Sequence, residues 1–292
     1  MVLESVLRSQ FALKHPFSML IFGIVITFLG AGMALTTFPN AASVLSIAFI
    51  TIGTIPLLFH TLSREEKHEI HAPGNPATFF GRHFHLISLY GYFFLGLIIA
   101  HAYLYSNLSP DFRSQLFEEQ ENTYGQIENL RGKTTEGEFE NACKSDRFWP
   151  LSIGCIFSNN AVVLGWTLFM SFIFGAGAIF LIAWNASVIG LVIGQEILAS
   201  DHFQALGKFG CLLPHGIPEV GAYFIGAIAG GIISAAIAQK VYRTDKFRII
   251  AQDVIVMIIL AYLLLFFGSL IEGANIISSC FTQTELVLAA LS

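Results

Sequence analysis

The sequence predicts an all-α fold, a polytopic transmembrane bundle of about seven helices, on three observations. Charged residues make up 12% of the chain, about half the roughly 25% usual in soluble domains. Mean hydropathy is +0.68. The apolar residues also fall in continuous runs of about 20, the length that crosses a hydrocarbon core about 30 Å thick at about 1.5 Å per residue. Strands of a membrane barrel would alternate apolar and polar positions; these runs do not, so helices are expected.

The expected spans are 17–37, 44–62, 84–105, 155–170, 172–195, 218–239 and 249–271. Before the first of them, Leu3, Val6, Leu7 and Phe11 recur at helical spacing among Glu4, Arg8 and Lys14. That pattern predicts a short helix lying in the membrane interface. The first span is too long for the h-region of a signal peptide and is expected to be retained. The fourth segment is short, and only Ser171 and its neighbours part it from the fifth. It reads either as a crossing or as a re-entrant helix, which would leave six crossings.

Basic residues bear on that choice, because Lys and Arg collect in cytoplasmic loops. Arg8, Lys14, Arg64, Lys67, Arg82, Lys240, Arg243, Lys246 and Arg248 all fall on one side only if the fourth segment crosses. The preferred topology is therefore seven crossings in the cell membrane, with a cytoplasmic N-terminus and an extracytoplasmic C-terminus. Cys143, Cys155, Cys211 and Cys280 then lie at or beyond the outer surface, where disulfides persist. They are candidates for bridges, and four unpaired thiols are the alternative.

Three regions follow: residues 1–105 with the interfacial helix and three spans, an extracytoplasmic stretch 106–150, and a C-terminal bundle 151–292. The stretch 106–150 carries nine acids against five bases and few apolar positions. It predicts one or two amphipathic helices folded over the outer surface, and being exposed it is the expected site for a protein partner. Residues 63–81, with the turn-rich His71–Pro76, read as a cytoplasmic loop. The lipid bilayer is one partner, a second copy of the chain is another candidate, and no basic run marks a nucleic-acid surface.

Small residues recur every four positions in two spans: Ala186, Gly190 and Gly194 in the fifth, and Ala222, Gly226, Gly230, Ser234 and Ala238 in the sixth. Helices in lipid associate through such residues, so the two spans are expected to pack on each other. A polar element, Pro214-His215-Gly216-Ile217-Pro218-Glu219, precedes the second stripe. Pro218 suits the first turn of a helix, with Glu219 complementing its dipole. On that reading Gly216 and Pro218 break the chain, and His215 and Glu219 are not an i,i+4 pair. The pair is either a polar latch or acid–base couple at the bundle mouth, or a helix-start motif. Asn185, midway along the fifth span, is expected to bond across to another helix. Asn159 and Asn160 are expected to cap the fourth. Asp253 and Glu272 are candidates to face the bundle interior.

No enzyme motif is found. His68 and His71 stand three apart, not in the HExxH of zinc peptidases, and GxSxG, P-loop and GxGxxG patterns are absent from the sequence. No metal or cofactor is expected.

Together, Asn159-Asn160, Phe174-Gly-Ala-Gly-Ala-Ile-Phe, Trp184-Asn-Ala-Ser-Val-Ile-Gly, Pro214-His-Gly-Ile-Pro-Glu-Val and Ala229-Gly-Gly-Ile-Ile-Ser resemble the stage II sporulation protein M family, in its archaeal form. The resemblance covers about 155–272. It implies roles for Asn160, Asn185, Gly190, His215, Gly216 and Glu219, and it implies a membrane assembly factor rather than an enzyme. Three functions are thus in play: a non-catalytic scaffold, a small-solute or ion transporter or channel with Asn185, His215, Glu219 and Asp253 as candidates to line its path, and an intramembrane hydrolase using His215 and Glu219.

Overall fold

A computed structural model describes residues 15–71, 79–130, 149–174, 177–199, 202–244 and 246–277. Among them are eight α-helices and no strand. These are α1 (Ser18–Thr37), α2 (Ala42–His71), α3 (Phe79–Asn107), α4 (Pro110–Leu130), α5 (Trp149–Phe174), α6 (Ala178–Leu198), α7 (His202–Ala238) and α8 (Lys246–Ile277). All but α4 contain a stretch long and apolar enough to cross a membrane. The expected interfacial helix before residue 15 and the turn-rich residues 72–76 lie outside the described residues.

Contacts along the helices fix their relative sense. The rings of Phe17 and Phe28 meet those of Tyr92 and Tyr103, so α1 and α3 run parallel. Gly190 lies against Ile98 and His101, and Gly194 against Ala102 and Tyr105, so α6 runs parallel to α3. Asn160 meets Glu219, while Ser171 meets Ala227 and Gly230, so α5 runs parallel to α7. By contrast Ile153 meets Gly273, and Phe157 meets Tyr262 and Phe266, so α8 is antiparallel to α5. Helices of opposite sense alternate along the chain, as alternate crossings require. The fourth span holds a 22-residue apolar stretch, Ile153–Phe174, the length of a crossing rather than of a re-entrant half-helix.

Two of the close approaches correct the expected packing. The glycine stripes do not face each other; each receives a different helix. A Cβ on Gly190 would stand 2.6 Å from Cβ of His101, and one on Gly194 the same distance from Cβ of Tyr105, both on α3. A Cβ on Gly226 would stand 2.5 Å from Leu164 and one on Gly230 2.7 Å from the Leu168 carbonyl, both on α5. Four-residue spacing marks a smooth face but carries no address for what fills it. Gly216 makes no such approach, since a Cβ there would meet nothing within 4 Å.

Boundaries shift as well. The fourth span ends at Phe174 and the fifth begins at Ala178, and Ser171 lies inside α5, where its hydroxyl donates to the Ala227 carbonyl at 2.6 Å. Helix α2 continues to His71, so the expected loop at 63–81 is helical over its first part. Helix α7 begins at His202 and runs on through Pro214 and Pro218. Each proline removes one backbone bond; standing four apart, both deletions fall on one flank of a helix 37 residues long, and span helices tolerate this.

In the stretch 106–150, α4 lies across one end of the bundle, and residues 131–148 lie outside the described residues. Leu116, Phe117 and Gln120 are buried, spaced to share one face of a helix. Phe117 packs edge-on to Tyr105 at 5.1 Å, the Tyr105 hydroxyl donates to Glu121, and the Gln120 amide donates to the Ser43 carbonyl at 3.3 Å. The Arg113 guanidinium covers the Tyr105 ring at 5.2 Å. Asp111, Glu118 and Glu119 point outward.

Gly190→Ala is expected to destabilise the bundle by about 1–3 kcal/mol through overpacking against α3. Gly32→Ala meets open space and should be neutral or stabilising by up to about 1 kcal/mol. Thermal unfolding of the detergent-solubilised chain followed by tryptophan fluorescence checks the pair; equal midpoints would refute the close α3–α6 contact.

Candidate polar site

Three helices build the site, and each contributes for a local reason. Because α7 is continuous, His215, Glu219 and Tyr223 stand four apart on one face, contrary to the expected break between the first two. Asn160 comes from the interior of α5, eleven residues after its first residue, Trp149, and neither it nor Asn159 caps that helix. Helix α8 brings Gly268 and, one turn on, Glu272.

Asn160 is the bridge. Its Nδ2 donates to Glu219 Oε1 at 2.8 Å, while its Oδ1 accepts from the Tyr223 hydroxyl at 3.0 Å. A neutral amide is suited to this because it offers a donor and an acceptor at once. Gly268 lets α8 close over the pair: a Cβ there would stand 2.8 Å from Glu219 Cγ and 3.3 Å from the His215 carbonyl. His215 and Glu272 are buried, Glu219 and Asn160 half-buried. Glu219 lies six residues into the stretch Leu213–Ala238, about 9 Å along the helix, deep enough for an unmatched carboxylate to be costly.

Of the predicted site residues, Asn160, His215 and Glu219 come together. Asn185 does not join them. Its Nδ2 donates to the Leu181 carbonyl of its own helix at 2.8 Å, rather than across to a neighbour. Tyr223, Gly268 and Ser171 were missed. Tyr223 carried a readable signal, lying four residues after Glu219 on the same helix, whereas Gly268 sits in an apolar run with nothing to mark it. Asp253 is half-buried near the start of α8. Cys155 is disulfide-bonded; Cys143, Cys280 and the side chain of Cys211 lie outside the described residues. Among the described residues no group of three or more His, Cys, Asp and Glu could hold a metal ion.

Seven apolar helices, two of them joined by an interhelical amide bridge, define a polytopic α-helical membrane protein. The model of the stage II sporulation protein M family matches residues 89–275, more than half of the chain, and the chain belongs to that family. The match starts inside α3 and so reaches further toward the N-terminus than the resemblance at 155–272. No curated protein and no solved structure gives a match.

Asn160→Ala leaves two polar groups without this partner and is expected to cost about 1–2 kcal/mol. Asn185→Ala removes only a bond within its own helix and should cost less than half of that. Chemical or thermal unfolding in a mild detergent compares them. If the two variants lost equal stability, Asn160 would not be the bridge.

Proposed function

We propose that this protein is a non-catalytic membrane scaffold or assembly factor that engages a protein partner through α4 and the residues following it. The observation that carries the reading is the Asn160 bridge, in which Glu219, the last residue of the Pro214–Glu219 element, and Tyr223 are used to join helices α5 and α7. Such a junction suits a rigid platform. Helix α4 supports the second half of the reading: it is clamped to the bundle by Tyr105 yet turns Asp111, Glu118 and Glu119 outward. A rigid element with a charged free face suits a partner better than a mobile loop would.

The orientation we propose places α4 outside the cytoplasm and the N-terminus inside. The bases at 240–248 then face the cytoplasm, and the Cys155 disulfide stands on the outer side, where disulfides persist. The α4 end and the start of α5 share that side. Tyr105 at the end of α3 bonds Gln195 at the end of α6, and α7 starts at His202, only four residues after Leu198. Its Glu219 then meets α5 about five turns before the α7 C-terminus at Ala238, at the same end of the bundle.

Affinity purification of the tagged chain in gentle detergent tests the proposal. A partner should co-purify and be lost, or weakened about tenfold or more, when Asp111, Glu118 and Glu119 are all changed to Lys, because opposed charges at a rim become like charges. Glu219→Gln should leave the partner bound. Solute or ion flux in liposomes that vanished with Glu219→Gln would replace the scaffold by a transporter.

A further inference from the structure

The junction of α7 and α8 carries Lys240 and Arg243 before α8 and Lys246 and Arg248 at its start, against the lone acid Asp245 in 240–248. Lys240, Arg243 and Arg248 are exposed, and among the described residues none of the three makes an ion pair or a side-chain hydrogen bond. Arg243 only stacks its guanidinium over the neighbouring Tyr242 ring, at 5.4 Å.

The turn presenting these bases is ordered by its own backbone. Lys240 ends α7 in the left-handed region at φ 60°, with its N–H donating to the Ile237 carbonyl at 3.0 Å. A single 3-10 turn, Val241–Arg243, follows, and Thr244 donates to the Val241 carbonyl through both its N–H and its hydroxyl, at 2.9 and 2.8 Å. The Phe247 N–H then donates to the Thr244 carbonyl. The backbone that carries Lys240 and Arg243 is therefore tied down before anything binds.

Their depth is equally specific. Lys240 lies two residues past the stretch Leu213–Ala238, and Arg248 one residue into Phe247–Gly273, so the bases sit level with lipid headgroups. Directly beneath them on the chain, Ile237 and Ile249 are 40% and 41% exposed, and Tyr242, a residue type favoured at this level, is 45% exposed. The opposite end of the bundle, where α7 begins, carries the outward acids of α4.

We propose that this turn binds an anionic lipid, its headgroup phosphate held by Lys240, Arg243 and Arg248 and its acyl chain lying on Ile237 and Ile249. Charge complementarity selects the headgroup. The exposed isoleucines select a lipid over a soluble anion, since free phosphate has nothing to place on them.

Native mass spectrometry of the full chain, released from micelles containing equal phosphatidylglycerol and phosphatidylcholine, provides the test. The natural chain should retain phosphatidylglycerol in preference. Changing Lys240, Arg243 and Arg248 together to Gln should lower that retention about tenfold or more. The charge-preserving set Lys240→Arg, Arg243→Lys and Arg248→Lys should keep it and serves as the folding control. Where the triple Gln variant elutes aggregated on size exclusion, Arg243→Gln and Arg248→Gln singly should each lower retention about threefold. Undiminished preference in the Gln variants, or displacement of the lipid by an equal concentration of inorganic phosphate, would overturn the proposal.

Discussion

Close backbone approach between helices is the constraint on which the bundle depends. In lipid there is no hydrophobic gain from bringing two apolar helices together, because lipid tails are as apolar as leucine. What remains is dispersion, which falls off steeply when surfaces are held apart by even a fraction of an ångström. Glycine at a crossing point removes the side chain that would hold them apart. Gly190 and Gly194 bring α6 onto α3, Gly226 and Gly230 bring α7 onto α5, and Gly268 brings α8 onto Glu219 and the His215 carbonyl. Gly96 performs the same service for α1, whose Leu20 carbonyl lies where a Cβ would be.

Placing those contacts also places the polar groups. With α5 held against α7 in parallel, Asn160 arrives beside Glu219 and Tyr223, and the amide is satisfied at both ends. Ser171 reaches the Ala227 carbonyl two to three turns further along the same interface. The α5–α7 seam is thus small residues interleaved with polar bonds, so register and closeness support one another: a slip of one residue would break the bonds and move Leu164 off Gly226. Burial of His215 and Glu272 at the edge of this seam concentrates ionisable groups at one end of the bundle, the end that α4 also occupies.

The family match at 89–275 takes on a physical sense in this frame. It begins within α3, which receives the glycine face of α6. A module cut at residue 151 would expose Gly190 and Gly194 to lipid and leave α6 without its closest partner, whereas one that includes the second half of α3 keeps that contact. Helix α1 then packs on α3 through Gly23, and α2 packs on α1 through Gly30 and Gly53, extending the same manner of packing outward.

Composition and the lengths of the apolar runs determined the all-α membrane class and the spans, because the thickness of hydrocarbon leaves a helix little choice of length. Residue types also marked Asn160, His215 and Glu219, since polar groups in an oily run are conspicuous. What tertiary structure alone decided is partnership. A four-residue stripe is the same text whether it faces its neighbour in sequence or another helix, so the pairing of α6 with α3 and of α7 with α5 could not be read from it. Proline likewise signals a lost hydrogen bond, and neighbouring helices determine whether the chain breaks there; in α7 it continues, and this alone makes His215, Glu219 and Tyr223 one face. Asn185 and Asn160 are the same residue at similar depth. One meets a carboxylate and a hydroxyl from the adjoining helix, the other turns back to Leu181, because a side chain's hydrogen bond depends on what packing brings within reach.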